Sequence, residues 1–281
     1  MEAVLAPSFL NTPWGMAIFI ILDIAVFILI AALNYRWLFK RLFDILFSAI
    51  FLAVFLPFFL VFLVVGAIYN KVTNAYPSLF ERVYYCGRKE KVISVYSFTT
   101  ERIQHDEEGN LLPAEERVTR FGKFVKGCGI KYYPYLAHVF TGRLSFVGPV
   151  PMSLADSAAL PPESKVRFKV RPGVVSSLSR YGGAKLTYAD LLEEDEEYVA
   201  HVNLFRDIAF FMTRFAQKLR GEGADILGEA AHKTYIEARR EEGTLTDEEA
   251  DALMADAESR LRGRKNANSE RKLFEERNLF R

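Results

Sequence analysis

Neither sign of charge prevails: 36 Lys and Arg face 35 Asp and Glu. A near-neutral chain offers no broad basic surface for nucleic acid, and no nucleic-acid module motif occurs. Cysteine is scarce. Cys86 and Cys128 lie far apart and in no metal-ligand spacing; they read as two reduced thiols rather than a disulfide framework or a thiolate zinc site. His105, His138, His201 and His232 form no HxH or HExxH pattern, so they read as ordinary surface or core residues and no metal site is expected. Internal repeats and low-complexity tracts are missing too, which excludes a solenoid.

What the chain has in excess is apolar sequence near its start. Residues 14–33 hold one charge, Asp23, and are long enough to cross a hydrocarbon core. The run is too long for a cleaved signal peptide and lacks a basic leader. Asp23 near mid-span is expected to face another helix or sit neutral, because exposure to lipid is costly. Arg36, Lys40 and Arg41, with Tyr35 and Trp37, mark a cytoplasmic interface and place the N-terminus outside. A second apolar stretch, 45–69, contains Pro57 and is flanked by basic residues on both sides. The positive-inside rule then keeps both ends on the cytoplasmic side. The expectation is a re-entrant hairpin broken at Pro57, with a kinked full span as the alternative.

From about residue 72 the chain reads as soluble. Residues 92–98 suit a strand, 117–126 a helix, 187–199 an acidic helix and 203–220 an amphipathic helix carrying Phe205, Ile208, Ala209, Phe211, Met212 and Phe215. Asp106 to Glu108, Glu115, Glu116 and the run Glu193 to Glu197 read as solvated surface. Residues 229–242 read as a helix, and a capping box at Thr246 and Glu249 opens another. The end of the chain is basic and carries Leu273-Phe274 and Leu279-Phe280; it suits a helix on anionic lipid or a solvated tail equally. The expected architecture is an α+β membrane protein. It comprises an N-terminal transmembrane helix (1–35), a re-entrant membrane hairpin (36–70), a mostly helical cytosolic domain with a few short strands (71–220), and a C-terminal helical extension with a basic tail (221–281).

The stretch Arg117 to Met152 carries the sharpest signal. Its G-R-L-S-F-V-G-P-V-P (142–151), the later Arg171-Pro172-Gly173, the Lys40-Arg41-Leu42-Phe43-Asp44 entry and Asp195 with Tyr198-Val199 together resemble the bacterial sugar transferases. The likeness spans roughly residues 36–220. It implies a membrane phosphoglycosyl transferase that moves a sugar-1-phosphate from a UDP-sugar to undecaprenyl phosphate. In that family an aspartate of a D-E pair attacks the sugar-bearing phosphorus, and magnesium and the glutamate assist.

By the same resemblance the aspartate position is Lys131 and the glutamate position Tyr132. Cationic or amide positions fall on Tyr85, Ser97, Thr99, Val150 and the 174–179 segment, whereas Gly122, Pro134, Gly142, Gly148, Pro149, Pro151 and the R-P-G turn are kept. Lysine cannot ligate magnesium as a carboxylate does. No catalytic residue and no cofactor is therefore expected, with magnesium only if the family reaction is retained. Lys123, Lys126 and Arg171 remain as candidates to meet phosphate. Three readings stay open: a non-catalytic binding or scaffolding subunit of exopolysaccharide, lipopolysaccharide or glycan assembly, an active divergent transferase, and a membrane protein with another chemistry. The expected location is the bacterial inner membrane with the main domain cytosolic. Expected partners are its lipids, a polyprenyl-phosphate-linked glycan, and another sugar transferase, a polysaccharide-assembly protein or a second copy.

Overall fold

A computed structural model describes residues 12–105, 112, 114–181, 186–220 and 233–262. Helix α1 is Pro13–Leu33, opened by Thr12, whose hydroxyl accepts from the Gly15 amide at 3.0 Å. Proline at the first helical position loses nothing there, because that amide has no partner in any helix. At 1.5 Å per residue its 21 residues reach about 31 Å, the thickness of a hydrocarbon core. Only Gly15 and Ala31 are buried. Asp23 is exposed on α1, so no helix among the described residues covers it.

A π-helical turn, Tyr35–Phe39, leads into α2, Lys40–Thr73. Pro57 lies inside α2, which continues from Lys40 to Thr73 as one helix rather than as two helices separated at the proline. The residues of α2 buried against the rest of the chain are Asp44, Ser48 and Gly66. Its outward positions are apolar: Ile50, Val54, Phe58, Val61, Val65 and Ile68 are all exposed. The helix is thus inside out, with small and polar residues toward the protein and hydrocarbon toward the surroundings, as a membrane demands and water forbids. Domain contacts run along nearly its whole length. Asp44 accepts from Phe146 N–H at 3.0 Å near one end, and the Tyr69 ring stacks on Phe121 at 5.3 Å near the other.

The strands are few. β1 (Phe80–Cys86) and β2 (Val92–Phe98) form an antiparallel hairpin in which Glu81 lies opposite Ser97. Only the second of these strands follows from alternation; β1 is the partner it required. After α3 (Ala114–Arg117), the expected helix at 117–126 begins anew as α4, Arg120–Gly127, because Val118 bridges to Glu101 and Thr119 caps the new start. α5 is Tyr133–Phe140. β3 (Ser145–Val147) pairs in parallel with β4 (Gly173–Val175), the crossover carrying α6, Leu154–Ala158. The kept glycines explain themselves here: a Cβ on Gly173 would stand 2.2 Å from the Gly148 nitrogen, and one on Gly122 2.0 Å from the Thr100 carbonyl oxygen.

α7 (Tyr188–Ala200) opens with a capping box from Thr187 and Asp190. Two members of its acidic run are not solvated as expected. Glu194 is buried beside Arg180 and the Tyr181 hydroxyl, and Asp195 is buried 3.1 Å from Arg167. α8 is Leu204–Leu219. Its inward residues are Asp207, Phe210 and Gln217, while Phe205, Ile208, Met212, Phe215 and Leu219 point outward. The apolar stripe read from the sequence is real but faces away from the core, on a helix whose Phe211 ring lies 6.5 Å from Phe51 of α2.

α9 (Tyr235–Glu241) and α10 (Asp247–Arg262) lie beyond the expected domain end yet share its largest core. Ile236, Ala250 and Ala257 pack with Tyr84, Cys86, Leu154 and Leu160. The Thr246 to Glu249 capping box is present. The expected linker at 221–228, the turn at 106–111 and the basic tail from residue 263 lie outside the described residues.

Candidate functional site

The turn Gly129 to Tyr132 delivers the segment into α5. Gly129 takes φ of +74°, a conformation other residues adopt at a cost, and the Tyr132 amide closes back on its carbonyl at 3.2 Å. Pro134 occupies the first turn of α5, where a missing amide is harmless. Of the two residues this geometry rests on, Pro134 is kept from the family pattern and Gly129 is this chain's own.

Lys131 points to the β1–β2 hairpin. Its Nζ lies 3.1 Å from Glu81 Oε1, and Ser97 Oγ donates to the same oxygen at 2.6 Å. Both charged side chains are largely buried. Burial works against the Lys131 ammonium, but Glu81, Tyr132 and the more distant Glu101 outweigh it and raise its pKa above the ordinary lysine value. The ammonium is therefore held charged and is no nucleophile at neutral pH. Around it stand tyrosines. Tyr85 is hydrogen-bonded to Tyr135, and burial pushes the Tyr85 phenol up to about 12. The Tyr132 ring meets Tyr135 edge-on at 5.2 Å, with the Lys131 ammonium 5.8 Å from its centre.

Magnesium binds through hard oxygen ligands, usually one or two carboxylates with water and phosphate. The carboxylate at this position, Glu81, already serves Lys131 and Ser97, and no group of three His, Cys, Asp or Glu side chains comes together among the described residues. The donor set does not fit the ion.

The other sequence candidates separate. Lys126 joins this end of the domain, paired with Glu101 at 3.0 Å, which Arg117 also approaches at 3.5 Å. Lys123 is exposed on α4. Arg171 sits at the far end of α5, about 12 Å along that helix, donating from Nε to the Gly142 carbonyl at 2.9 Å. Pro57 lies one turn from a contact with the site: the Tyr133 hydroxyl donates to the Leu52 carbonyl at 2.6 Å. The neighbouring Ala53 carbonyl is the one a proline at 57 leaves without an amide partner. Tyr133 thus adds a hydrogen bond to the carbonyl one residue before the freed one.

Sequence reasoning missed Glu81. Its signal was the register: Ser97, already singled out, stands opposite Glu81 once β1 and β2 are paired. A second hub was half legible. Asp207 accepts from Tyr35 at 2.7 Å and from Tyr198 at 2.9 Å and pairs with Lys40, so the start of α2 is clamped to α7 and α8.

The profile of the bacterial sugar transferases matches residues 35–221, well over half of the chain. The sugar transferase EpsL of Bacillus subtilis (strain 168) is 32% identical over 138 residues, covering 49% of this chain and 68% of that protein. The UDP-glucose:undecaprenyl-phosphate glucose-1-phosphate transferase of Escherichia coli (strain K12) is 26% identical over 156 residues, covering 52% of this chain and 33% of that protein. The UDP-galactose-lipid carrier transferase of Erwinia amylovora is 28% identical over 123 residues, covering 44% and 26%. With its G-P-V-P and R-P-G turns and this match, the chain belongs to the bacterial sugar transferase family.

Proposed function

We propose that this chain is a membrane-seated sugar transferase homologue that no longer transfers phosphosugar and serves glycan assembly as a binding or scaffolding subunit. One observation carries the reading: the ion pair of Lys131 with Glu81 at the position of the family's nucleophile. A nucleophilic carboxylate and a metal ligand are replaced by an ammonium and a phenol. The nearest carboxylate is committed to that ammonium, and a cationic or amide position of the family falls on Tyr85, which is hydrogen-bonded to Tyr135. Several groups that would stabilise charge on phosphate are missing at once, and each is worth roughly 2.7–4 kcal/mol in related settings.

Two further points belong to the reading. The α2 helix enters and leaves the bilayer on one side, bending at Pro57. Support comes from the domain contacts at both ends of α2, from Asp44 to Tyr69, which a perpendicular span could make only with the domain inside the membrane. The basic residues flanking 45–69 put that side in the cytoplasm, with the N-terminus outside and the bilayer an inner membrane. The partners are a polyprenyl-phosphate-linked glycan and a second transferase, another assembly protein or a second copy.

The test is UMP release from a panel of UDP-sugars by the purified full chain, with a D-E-bearing homologue as positive control. The expected result is no release above background, with Lys131→Asp combined with Tyr132→Glu equally inactive. Turnover that disappears on changing a single carboxylate would overturn the reading. Recovery of a second sugar transferase or a polysaccharide polymerase on affinity purification supports the scaffold.

A further inference from the structure

Arginines gather at the end of α5 opposite the Lys131 pocket. Arg41, the second residue of α2, donates from Nη1 to the Val139 carbonyl at 2.6 Å and from Nη2 to the Phe140 carbonyl at 2.7 Å. Arg171 donates from Nε to the Gly142 carbonyl at 2.9 Å. Both crowd Gly142, where an added Cβ would stand 3.0 Å from Arg41 Nη2 and 3.7 Å from Arg171 Nε. Arg88, on the β1–β2 turn, donates to the carbonyl of Lys169, two residues before Arg171.

These hydrogen bonds fix three guanidinium groups without neutralising them. Carbonyl oxygens are their acceptors, and none of the three forms an ion pair with a carboxylate among the described residues. The terminal nitrogens of Arg171 make no hydrogen bond there. Burial, then Arg41 and Arg88, lower the pKa of Arg171, while Asp44 opposes them. Asp44 is itself engaged with Ser145 and Phe146 and offsets at most one of the three charges. Arg41 and Arg171 are half-buried and Arg88 is exposed beside them; gathering charges of one sign there costs free energy unless an anion joins them. Guanidinium forks held by one edge present the other to a phosphate.

We propose that Arg41, Arg88 and Arg171 form an anion site for a phosphate group, supplied by the headgroup of a membrane lipid. The source follows from position. Arg41 precedes the apolar run of α2 by four residues, so the cluster lies level with headgroups in the membrane placement given above. The inference rests on that placement and is independent of whether the Lys131 pocket is inert.

The test uses the full chain in a neutral detergent, so that bilayer insertion does not enter. Thermal unfolding is followed while titrating inorganic phosphate in one arm and dihexanoyl phosphatidic acid below its micellar concentration in the other, with chloride at matched ionic strength as control. Expected is a saturable rise in Tm in both arms, with the lipid acting at concentrations at least tenfold lower. Equal potency of the two would retain the phosphate site and overturn its assignment to lipid. Arg88→Glu gives the neighbouring arginines a carboxylate. It should raise Tm without ligand and weaken the phosphate response at least tenfold; Arg88→Gln should weaken the response alone. A response equal to that of chloride, or one that survives intact in Arg88→Glu, overturns the proposal.

Discussion

Glu81 and Lys131 each justify the other's burial, so removing one is worse than removing both. Glu81→Gln leaves an ammonium with a weaker partner in a mostly dry place and is expected to cost about 2 kcal/mol. Lys131→Met with Glu81→Gln should recover part of that loss, read as a coupling in a double-mutant cycle by chemical denaturation. Lys131→Asp alone would set two carboxylates face to face and destabilise the fold while restoring no chemistry. Two other buried groups make stability depend on pH in opposite directions. His138 accepts the Tyr96 amide at 2.8 Å through Nε2, and burial, with Arg143 adding to it, depresses its pKa from 6.5 to about 4. Between those values the unfolded chain binds a proton that the native imidazole refuses, so His138 makes stability fall as pH drops from 6.5 toward 4. Asp195 behaves the other way. Burial raises its pKa to about 6 despite Arg167, so its favourable contribution is complete below the ordinary value of 3.8 and is lost as pH rises through 6. Tm measured from pH 7 to 4.5 should therefore fall less steeply with acid in His138→Gln than in the parent chain. The positions of Lys131 and Tyr132 could be read from the chain alone, since they rest on alignment with a motif. Glu81 could not, because nothing local says which residue lies across a hairpin whose first strand does not alternate.

At the scale of elements, the apolar runs and the capping signals were legible and the direction of faces was not. Thr246 with Glu249 and the 3.6-residue stripe of α8 both describe local chemistry, and both are present. That the stripe on α8 points outward depends on what surrounds it, which a single-helix pattern does not encode. Thr119 restarts a helix that periodicity alone would have run through, because the cap competes with the preceding turn. Close packing between elements gives a sharp prediction. Gly122→Ala would drive its Cβ into the Thr100 carbonyl, 2.0 Å away, and a cost of about 3 kcal/mol is expected from the separation of α4 from the chain after β2. The hydroxyl of Tyr133 is a milder lever. Tyr133→Phe should cost about 1 kcal/mol by removing its bond to the Leu52 carbonyl, one turn before Pro57. Protease protection of α2 in membranes, compared between the two chains, reads whether that bond also holds the bend.

Taken whole, the molecule is less modular than its sequence. The family match stops at residue 221, yet α9 and α10 close the core formed by Tyr84, Cys86, Leu154 and Leu160. Ile236 N–H reaches Asp156 at 3.1 Å, and Arg260 reaches the Glu90 carbonyl on the β1–β2 turn at 3.0 Å. Ending the chain at residue 232 is therefore expected to yield aggregated protein, whereas ending it at 262 leaves every one of these contacts in place; size-exclusion chromatography in detergent distinguishes them. The same lack of modularity governs how the part that follows α2 can be prepared. The Phe59 ring lies 4.3 Å from Tyr133 and 5.5 Å from Phe98, Phe62 stacks on Phe124, and Tyr69 on Phe121. Cutting the chain after α2 to obtain a water-soluble fragment would strip a continuous aromatic lining from the underside of that part. That fragment is then poorly able to stay in solution, and the membrane helix is better regarded as the lower wall of the domain than as its tether.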